Sequence, residues 1–283
     1  MLSMFEKELR KIDGEIKKTP RGEIPELFRK IPLETFGKLL LDIPSQYPHI
    51  KAFFPSMSTN EVQDHWTGNH GEILLSQSLA FMKTMLAGFG ALTGKKIENA
   101  RILDFGCGWG RLIRLCYKYI PVDNIFGVDP WDESIKECIN HGIKASLAIS
   151  DWVPRSLPFE QKFDLIFAFS VFTHLSEKTT QIVLETLSKY IAKDGLLVIT
   201  IRSKEYWHLY NQGASESEMM KVHDKKGYAF MPHERPPVDG DITYGDTSIS
   251  VDYFEKYISN WKVESVEFNE VDQFQVILFL KPV

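Results

Sequence analysis

The spacing of hydrophobic positions changes at about residue 100. After it, short apolar runs alternate with segments whose apolar residues recur every three or four positions. The runs predict buried strands and the longer spacing predicts amphipathic helices. We expect strands at 101–105, 124–128, 145–149, 163–169, 196–201, 261–268 and 274–280, and helices at 109–119, 132–140, 179–192 and 248–258. This alternation predicts an α/β fold: a mostly parallel sheet with helices on both faces.

The part of the chain before residue 100 has a helical pattern. Phe5, Leu9, Ile12 and Ile16 form one apolar stripe, and residues 72–92 predict a long helix. The stripe predicts a helix that packs on its own domain. A helix that mediates a homodimer is the alternative, because the chain breaks at residues 19–22. We therefore predict a helical extension over 1–70 and an α/β domain over 71–283.

A glycine-rich turn follows the first predicted strand. Three glycines, Gly106, Gly108 and Gly110, alternate after Asp104, and a helical pattern follows them. Such a turn allows a ligand to approach the backbone closely. The dinucleotide fingerprint would place its third glycine where Arg111 stands, which argues against a nicotinamide dehydrogenase. Asp129 ends the second strand about 20 residues later, where a carboxylate can bind ribose hydroxyls.

The segment from Leu103 to Gly110 resembles the first motif of class I S-adenosylmethionine-dependent methyltransferases. The resemblance covers about residues 71–201 and 249–283 and implies a Rossmann-like sheet of seven strands with an antiparallel last strand. It implies S-adenosylmethionine as cofactor and S-adenosylhomocysteine as product. The cofactor contacts are expected from Asp104, Gly106, Cys107, Gly108, Gly110, Asp129, Pro130, Trp131, Asp151, Trp152 and Phe169. His174 is the candidate for proton transfer, although a His-Leu pair at this point is often structural in that family.

Residues 203–248 form an aromatic-rich insertion after the fifth predicted strand. Because ligands bind at the carboxyl ends of such strands, we predict a substrate lid, with a surface subdomain as the alternative. A polar and aromatic run at 64–71 is the second candidate for substrate contacts. The predicted substrate residues are His65, Trp66, His70, Arg202, Tyr206, Trp207, His233 and Tyr244. The histidines of the insertion lack short ligand spacing, so no metal site is predicted.

Composition narrows the choice of partners. The chain of 283 residues has a net charge of −5 and a pI near 5.9, which argues against nucleic acid as a partner. Its three cysteines lack C-x-x-C spacing, so we expect reduced thiols and no zinc. The first 18 residues are charged throughout and do not resemble a signal peptide. No segment approaches the about 20 apolar residues that cross a membrane, and we expect a cytoplasmic protein.

The predicted activity is methyl transfer to a small-molecule acceptor. The His-Trp-Thr-Gly run, the glycine turn and the segment 169–175 together resemble methyltransferases encoded beside bacterial surface-glycan enzymes. That resemblance implies a hydroxyl of a sugar or glycan precursor as acceptor. Three alternatives are a nicotinamide-dependent oxidoreductase, an aminopropyl transferase and a non-catalytic protein that binds a nucleoside ligand. The second would need paired acidic residues for a polyamine, and the sequence shows no clear pair.

Overall fold

The computed structural model describes residues 2–210, 214–269 and 271–283, so residues 211–213 of the predicted insertion lie outside the described residues. The chain forms two compact units. One comprises Met1–Gly90 with Lys95–Ile149, and the other comprises Ala91–Gly94 with Ser150–Val283. The predicted division at residue 70 differs from this one, because the N-terminal helices group with the first strands.

The first unit contains helices and three parallel strands. The helices are α1 (Glu6–Ile16), α2 (Ile24–Leu27), α3 (Leu33–Leu41), α4 (Pro48–Phe53), α5 (Asn60–Thr67), most of α6 (Gly71–Thr93), α7 (Arg111–Cys116) and α8 (Asp132–Asn140). The strands are β1 (Ile102–Phe105), β2 (Ile125–Asp129) and β3 (Ser146–Ile149). Every residue of β1 is buried. A strand that is buried along its whole length is typical of a parallel sheet covered on both faces.

The second unit contains the remaining strands and the insertion. Its elements are β4 (Phe163–Ala168), α9 (Glu177–Tyr190), β5 (Ile191–Ile201), α10 (Ala214–Lys226), β6 (Tyr228–Pro232), β7 (Gly245–Ile249), α11 (Val251–Tyr257), β8 (Trp261–Phe268) and β9 (Val276–Pro282). Strand β9 pairs antiparallel with both β5 and β8. Strands β6 and β7 form a separate antiparallel pair.

The seven strands outside that pair form one sheet in the order β3-β2-β1-β4-β5-β9-β8. The order confirms the predicted class: a Rossmann-like, mostly parallel sheet with an antiparallel last strand. Several boundaries differ from the prediction. Strand β5 begins at Ile191, where we expected a helix to residue 192. Residues 60–67 form helix α5, which was not predicted, and Gly68 ends this helix with a φ of 76°. Ser248 belongs to β7, and Ser250 instead caps α11 by accepting the N–H of Tyr253.

The stripe of the first helix is buried inside the first unit. Leu9, Ile12 and Ile16 are at most 4% exposed. The Asp13 carboxylate accepts the backbone N–H groups of His49 and Ile50, each at 2.8 Å, which fastens α1 to α4. The apolar stripe of the helix therefore packs on its own unit.

Helix α6 is long and apolar enough to cross a membrane by length and composition alone. This corrects the expectation that no segment approaches that length. Its buried residues include Phe81, Met82 and Phe89, none of which is measurably exposed. Since the core helix of a globular protein passes the same test, this single helix is weak evidence for a membrane span.

Candidate active site

The glycine turn is held by the backbone of β2. The N–H groups of Gly106 and Cys107 both donate to the Val128 carbonyl, at 2.8 and 3.0 Å. Gly106, Gly108 and Gly110 have φ values of 76°, 52° and 77°, a region that other residues rarely adopt. A Cβ built on Gly108 would meet only the Trp66 ring, at 4.0 Å. The turn therefore leaves open space above its middle glycine.

The side chain of Asp129 fixes this turn from the end of β2. One carboxylate oxygen accepts the Gly108 N–H at 2.9 Å, and the other accepts the Trp131 N–H at 3.0 Å. The Ser134 hydroxyl makes a third hydrogen bond. A carboxylate can accept about four hydrogen bonds, so capacity remains for a ligand hydroxyl. Burial raises the pKa of Asp129, while the Trp131, Gly108 and Ser134 bonds oppose that shift.

Two tryptophans border the same turn. Trp66 of α5 and Trp131 after β2 lie with ring centroids 4.9 Å apart and a 35° angle between their planes. Trp131 is 40% exposed and the adjacent Pro130 is half-buried. The structure therefore brings the predicted lid residue Trp66 to the predicted cofactor residues. It leaves His65 exposed, and it pairs the exposed His70 ring with Asp64 at 2.8 Å.

The side chains of Asp104, just before the turn, and Cys107, within it, are both buried. Asp104 is 2% exposed, and burial raises the pKa of its carboxyl to about 8, against the opposing charge of Arg111. The hydrogen bond with Cys138, together with burial, raises the pKa of the Cys107 thiol well above its usual value. A protonated, buried thiol is a poor nucleophile. Cys107 therefore serves the turn as a small packed side chain.

The second unit holds the other predicted cofactor residues. Asp151 and Trp152 are exposed, and Phe169, just after β4, is half-buried. The next residue, Ser170, has a φ of 60° although it is not glycine. Its N–H donates a hydrogen bond to the Thr200 hydroxyl at 2.7 Å, and its own hydroxyl accepts one from the Gln275 side-chain amide at 3.2 Å. Backbone strain held by such bonds is frequent at functional sites.

The insertion docks at the carboxyl ends of β4 and β5 through strand β7. The Gly245 and Thr247 N–H groups donate to the carbonyls of His174 and Thr173, which follow β4, at 2.8 and 3.0 Å. The Ile249 N–H donates to the carbonyl of Arg202, which follows β5, at 2.8 Å. The insertion thus covers the strand ends at which open α/β sheets bind ligands.

A buried carboxylate, Asp246 of β7, organises the predicted substrate residues. Its Oδ1 accepts hydrogen bonds from the Arg202 guanidinium and the Tyr206 hydroxyl, each at 2.8 Å. Its Oδ2 accepts a hydrogen bond from Nε2 of His233 at 2.7 Å. The Asp246 side chain is only 5% exposed, and the Arg202 side chain is 12% exposed. The ion pair is therefore largely removed from water, and its two further donors satisfy the carboxylate. We call Arg202, Tyr206, His233 and Asp246 the Asp246 cluster.

His174 adjoins this cluster as a neutral ring. Its Nδ1 lies 2.8 Å from the Gly245 carbonyl, which only accepts, so Nδ1 carries the proton. Its Nε2 lies 3.3 Å from Arg202, which only donates. Burial and the positive charge of Arg202 lower the pKa of His174 to about 4. The lone pair on Nε2, the only one on the neutral ring, therefore already accepts a hydrogen bond from Arg202.

We expect His174 to make folding stability depend on pH. Its pKa is about 4 in the folded protein against about 6.5 when unfolded, so the unfolded chain binds the proton first as the pH falls. The resulting stability is fully present above pH 6.5 and is lost progressively toward pH 4, by at most about 3 kcal/mol. Urea denaturation between these pH values should show a shallower loss for His174→Gln than for the unmodified protein. Equal slopes would contradict the assignment.

The aromatic residues of the insertion divide into two groups. Tyr244 stacks on His174 at 4.9 Å with a 5° interplanar angle, and it meets the His233 ring edge-on at 5.5 Å. Trp207 is fully buried and donates to the Ser248 hydroxyl at 2.7 Å. Because Trp207 has no exposed surface, it packs in the core of the unit instead of lining an open substrate surface as we expected. Nδ1 of His223 also lies 2.7 Å from the Ser248 hydroxyl, and His223 is buried as well.

Sequence reasoning missed Asp246. It lies 44 positions from Arg202, and no local motif joins the two. A usable signal was present, because aspartate is depleted in strands and Asp246 falls in the run Gly245–Ile249. Within the described residues, no group of three or more His, Cys, Asp or Glu side chains is placed to hold a metal.

The first unit fits a nucleoside-containing cofactor. Open space lies above Gly108, a carboxylate with spare acceptor capacity follows β2, and the aromatic surface of Trp131 lies beside it. These features, at the carboxyl ends of parallel strands, define a Rossmann-like cofactor-binding domain.

Part of the chain matches a known protein family. Residues 102–195 match the family model described as a methyltransferase domain. No curated protein matches the chain. Among solved structures, an S-adenosylmethionine-dependent methyltransferase from Clostridium acetobutylicum ATCC 824 is 16% identical over 78% of this chain and 96% of its own, with a TM-score of 0.50. The PH0226 protein from Pyrococcus horikoshii OT3 is 13% identical over 79% and 97%, with a TM-score of 0.52.

At these identities the two structures show the fold alone. The family match shows a methyltransferase domain at residues 102–195.

Proposed function

We propose that the protein methylates a hydroxyl group of a small molecule, and that the acceptor is a sugar or glycan precursor in the cytoplasm. The observation that carries the proposal is the Asp246 cluster at the carboxyl ends of β4 and β5. Arginine, tyrosine, histidine and carboxylate side chains meet there within hydrogen-bonding distance. A polyol acceptor presents hydroxyls that can use the remaining hydrogen-bonding capacity of such groups, whereas a purely apolar acceptor cannot.

A charged group next to the cluster favours an anionic precursor. The Arg235 guanidinium is exposed and lies 4.2 Å above the Tyr244 ring. Arginine suits the recognition of phosphate because its fork of N–H groups matches the oxygens. A sugar joined to phosphate would combine both kinds of contact. The net charge of −5 agrees with a small acceptor better than with nucleic acid.

The chain's own residues supply binding and orientation. The glycine turn and Asp129 would hold the nucleoside and methionine parts of S-adenosylmethionine, which when bound supplies a methyl group on a sulfonium that a positioned oxygen can displace in line. Asp246 keeps Arg202 and Tyr206 in fixed positions through two 2.8 Å bonds. A preorganised polar cluster of this kind orients an acceptor without further reorganisation.

Calorimetric titration tests the cofactor part of the proposal. S-adenosylmethionine, S-adenosylhomocysteine and NAD are titrated in parallel into the purified protein. Micromolar binding of the first two and no binding of NAD is the expected result. Binding of NAD alone would overturn the interpretation of the glycine turn.

Transfer of a tritiated methyl group tests the acceptor. The panel contains UDP-glucose, glucose 1-phosphate, methyl glucoside, catechol and a primary amine. We expect label in the first two as an ether that survives alkali. Label on the amine instead would indicate nitrogen as the acceptor atom and would contradict hydroxyl methylation.

A further inference from the structure

The two histidines beside Asp246 differ in which ring nitrogen is available. Nε2 of His233 faces Oδ2 of Asp246 at 2.7 Å, and a carboxylate can only accept, so Nε2 carries the proton. In the neutral ring the lone pair then lies on Nδ1. That atom has no hydrogen-bond partner in the part of the chain that the structure describes. The His233 side chain is 41% exposed, so the lone pair is accessible to a ligand.

The position of His233 is fixed by backbone as well as by Asp246. It directly follows β6, and its N–H donates to the Tyr244 carbonyl at 3.1 Å. The edge of its ring contacts the Tyr244 ring, which itself stacks on His174. An imidazole held at one nitrogen by a buried carboxylate, with the other nitrogen accessible, has the arrangement of a general base and its orienting acid.

His174 lacks this arrangement although it adjoins the same cluster. Its Nδ1 proton is directed to the Gly245 carbonyl, and its Nε2 lone pair faces Arg202 at 3.3 Å. Taking up a proton at Nε2 would bring two cations together in a largely buried place. The side chain is 19% exposed, less than half the exposure of His233. This geometry suits a residue that positions Arg202.

We propose that His233, oriented by Asp246, is the base that accepts the proton of the acceptor hydroxyl. The inference rests on the proposed hydroxyl methylation. The acceptor oxygen forms its new bond to the methyl carbon of S-adenosylmethionine as the C–S bond breaks, and the C–S electron pair stays on the sulfur. The hydroxyl proton passes to Nδ1 of His233, and the adjacent carboxylate stabilises the resulting imidazolium.

The charges around His233 come from several elements. Asp246 of β7 contacts it directly, Tyr244 precedes that strand, and Arg235 belongs to the same segment as His233. Beyond Asp246 lie Arg202 and His174. The negative charge of Asp246 is the only one of these within hydrogen-bonding distance of the His233 ring in the described residues. Loss of Asp246 should therefore alter the ring's tautomer.

The test compares His233→Gln, Asp246→Asn and His174→Gln with the unmodified protein, and exposed His208→Gln serves as a surface control. With whichever hydroxyl probe of the panel accepts label, we expect His233→Gln to lower kcat about 100-fold or more and to abolish the fall in log kcat at acidic pH. His174→Gln should keep that acidic fall, and His208→Gln should match the unmodified protein. The Kd for S-adenosylmethionine should be unchanged in His233→Gln.

A second readout needs no acceptor. Nitrogen-15 imidazole NMR should show His233 with its proton on Nε2, and Asp246→Asn should change that tautomer preference. A proton on Nδ1 of His233, or kcat within threefold of normal in His233→Gln with the acidic fall retained, would overturn the inference. If no hydroxyl probe is methylated, the proposed function fails, and the NMR spectrum still decides whether the histidine and carboxylate are arranged as described.

Discussion

Replacing Asp129 with alanine should weaken S-adenosylmethionine binding by about 1–3 kcal/mol, or about 5- to 150-fold in Kd. Two effects combine in this change. The ligand loses an acceptor for its ribose hydroxyls, and the Gly108 N–H loses the oxygen that holds it at 2.9 Å. Because the same carboxylate also accepts the Trp131 N–H, the aromatic surface beside the turn should lose its fixed position.

Calorimetry with both S-adenosylmethionine and S-adenosylhomocysteine measures this effect. The two ligands share the ribose, so their affinities should fall by similar factors. Asp132→Ala is the matched control, because Asp132 is exposed and its ion pair is with Lys136 on the surface of α8. Unchanged affinity in Asp129→Ala would refute the ribose assignment, and thermal unfolding of the unliganded variants separates that assignment from general loss of structure.

Adding one methyl group at Gly245 should disrupt the Asp246 cluster and reduce methyl transfer about 100-fold, the loss that a displacement of about 1 Å can cause. A Cβ there would lie 2.1 Å from the Met231 carbonyl oxygen and 2.8 Å from the Pro232 Cα. Both are backbone atoms, so the β6–β7 pair must separate. The displaced strand would carry Asp246 with it and would break both hydrogen bonds between Gly245 and His174.

Turnover and thermal unfolding of Gly245→Ala test this expectation. The free energy of unfolding should fall by about 1–3 kcal/mol, as for other overpacked sites. Gly240→Ala is the control in the same segment: its Cβ would meet no atom within 4 Å, although its φ of 74° makes alanine strained. That variant should lose some stability and keep its activity. Normal turnover in Gly245→Ala would show that the arrangement around Asp246 is not needed for the reaction.

The glycine turn and the carboxylate that follows it could be predicted because they are close together along the chain. Asp104, the three glycines and Asp129 fall on one strand-turn-helix-strand segment, and their spacing along the chain fixes their spacing in the fold. The pattern of strands was predictable for the same reason, since burial on both faces of a parallel sheet requires apolar runs. The boundaries that were wrong, at α5 and at β7, lie where polar residues weaken that periodicity.

The insertion could be located from the sequence but the arrangement of its side chains could not. The insertion at 203–248 and its histidines were visible in the chain, yet nothing local indicated that Trp207 is fully buried or that Asp246 joins Arg202, Tyr206 and His233. The choice between two histidines depends on which ring nitrogen faces a carbonyl and which faces a carboxylate. Those contacts arise only when β7 docks against the segments that follow β4 and β5.

The sequence alone thus determined the sheet, the glycine turn and the carboxylate at the end of β2, because each depends on residues that are neighbours along the chain. Only the tertiary structure decided which side chains share Asp246 and which histidine keeps an accessible lone pair. Hydrogen bonds between residues tens of positions apart, such as Arg202 and Asp246, depend on the docking of whole elements. A linear pattern of polar and apolar positions carries no record of that docking.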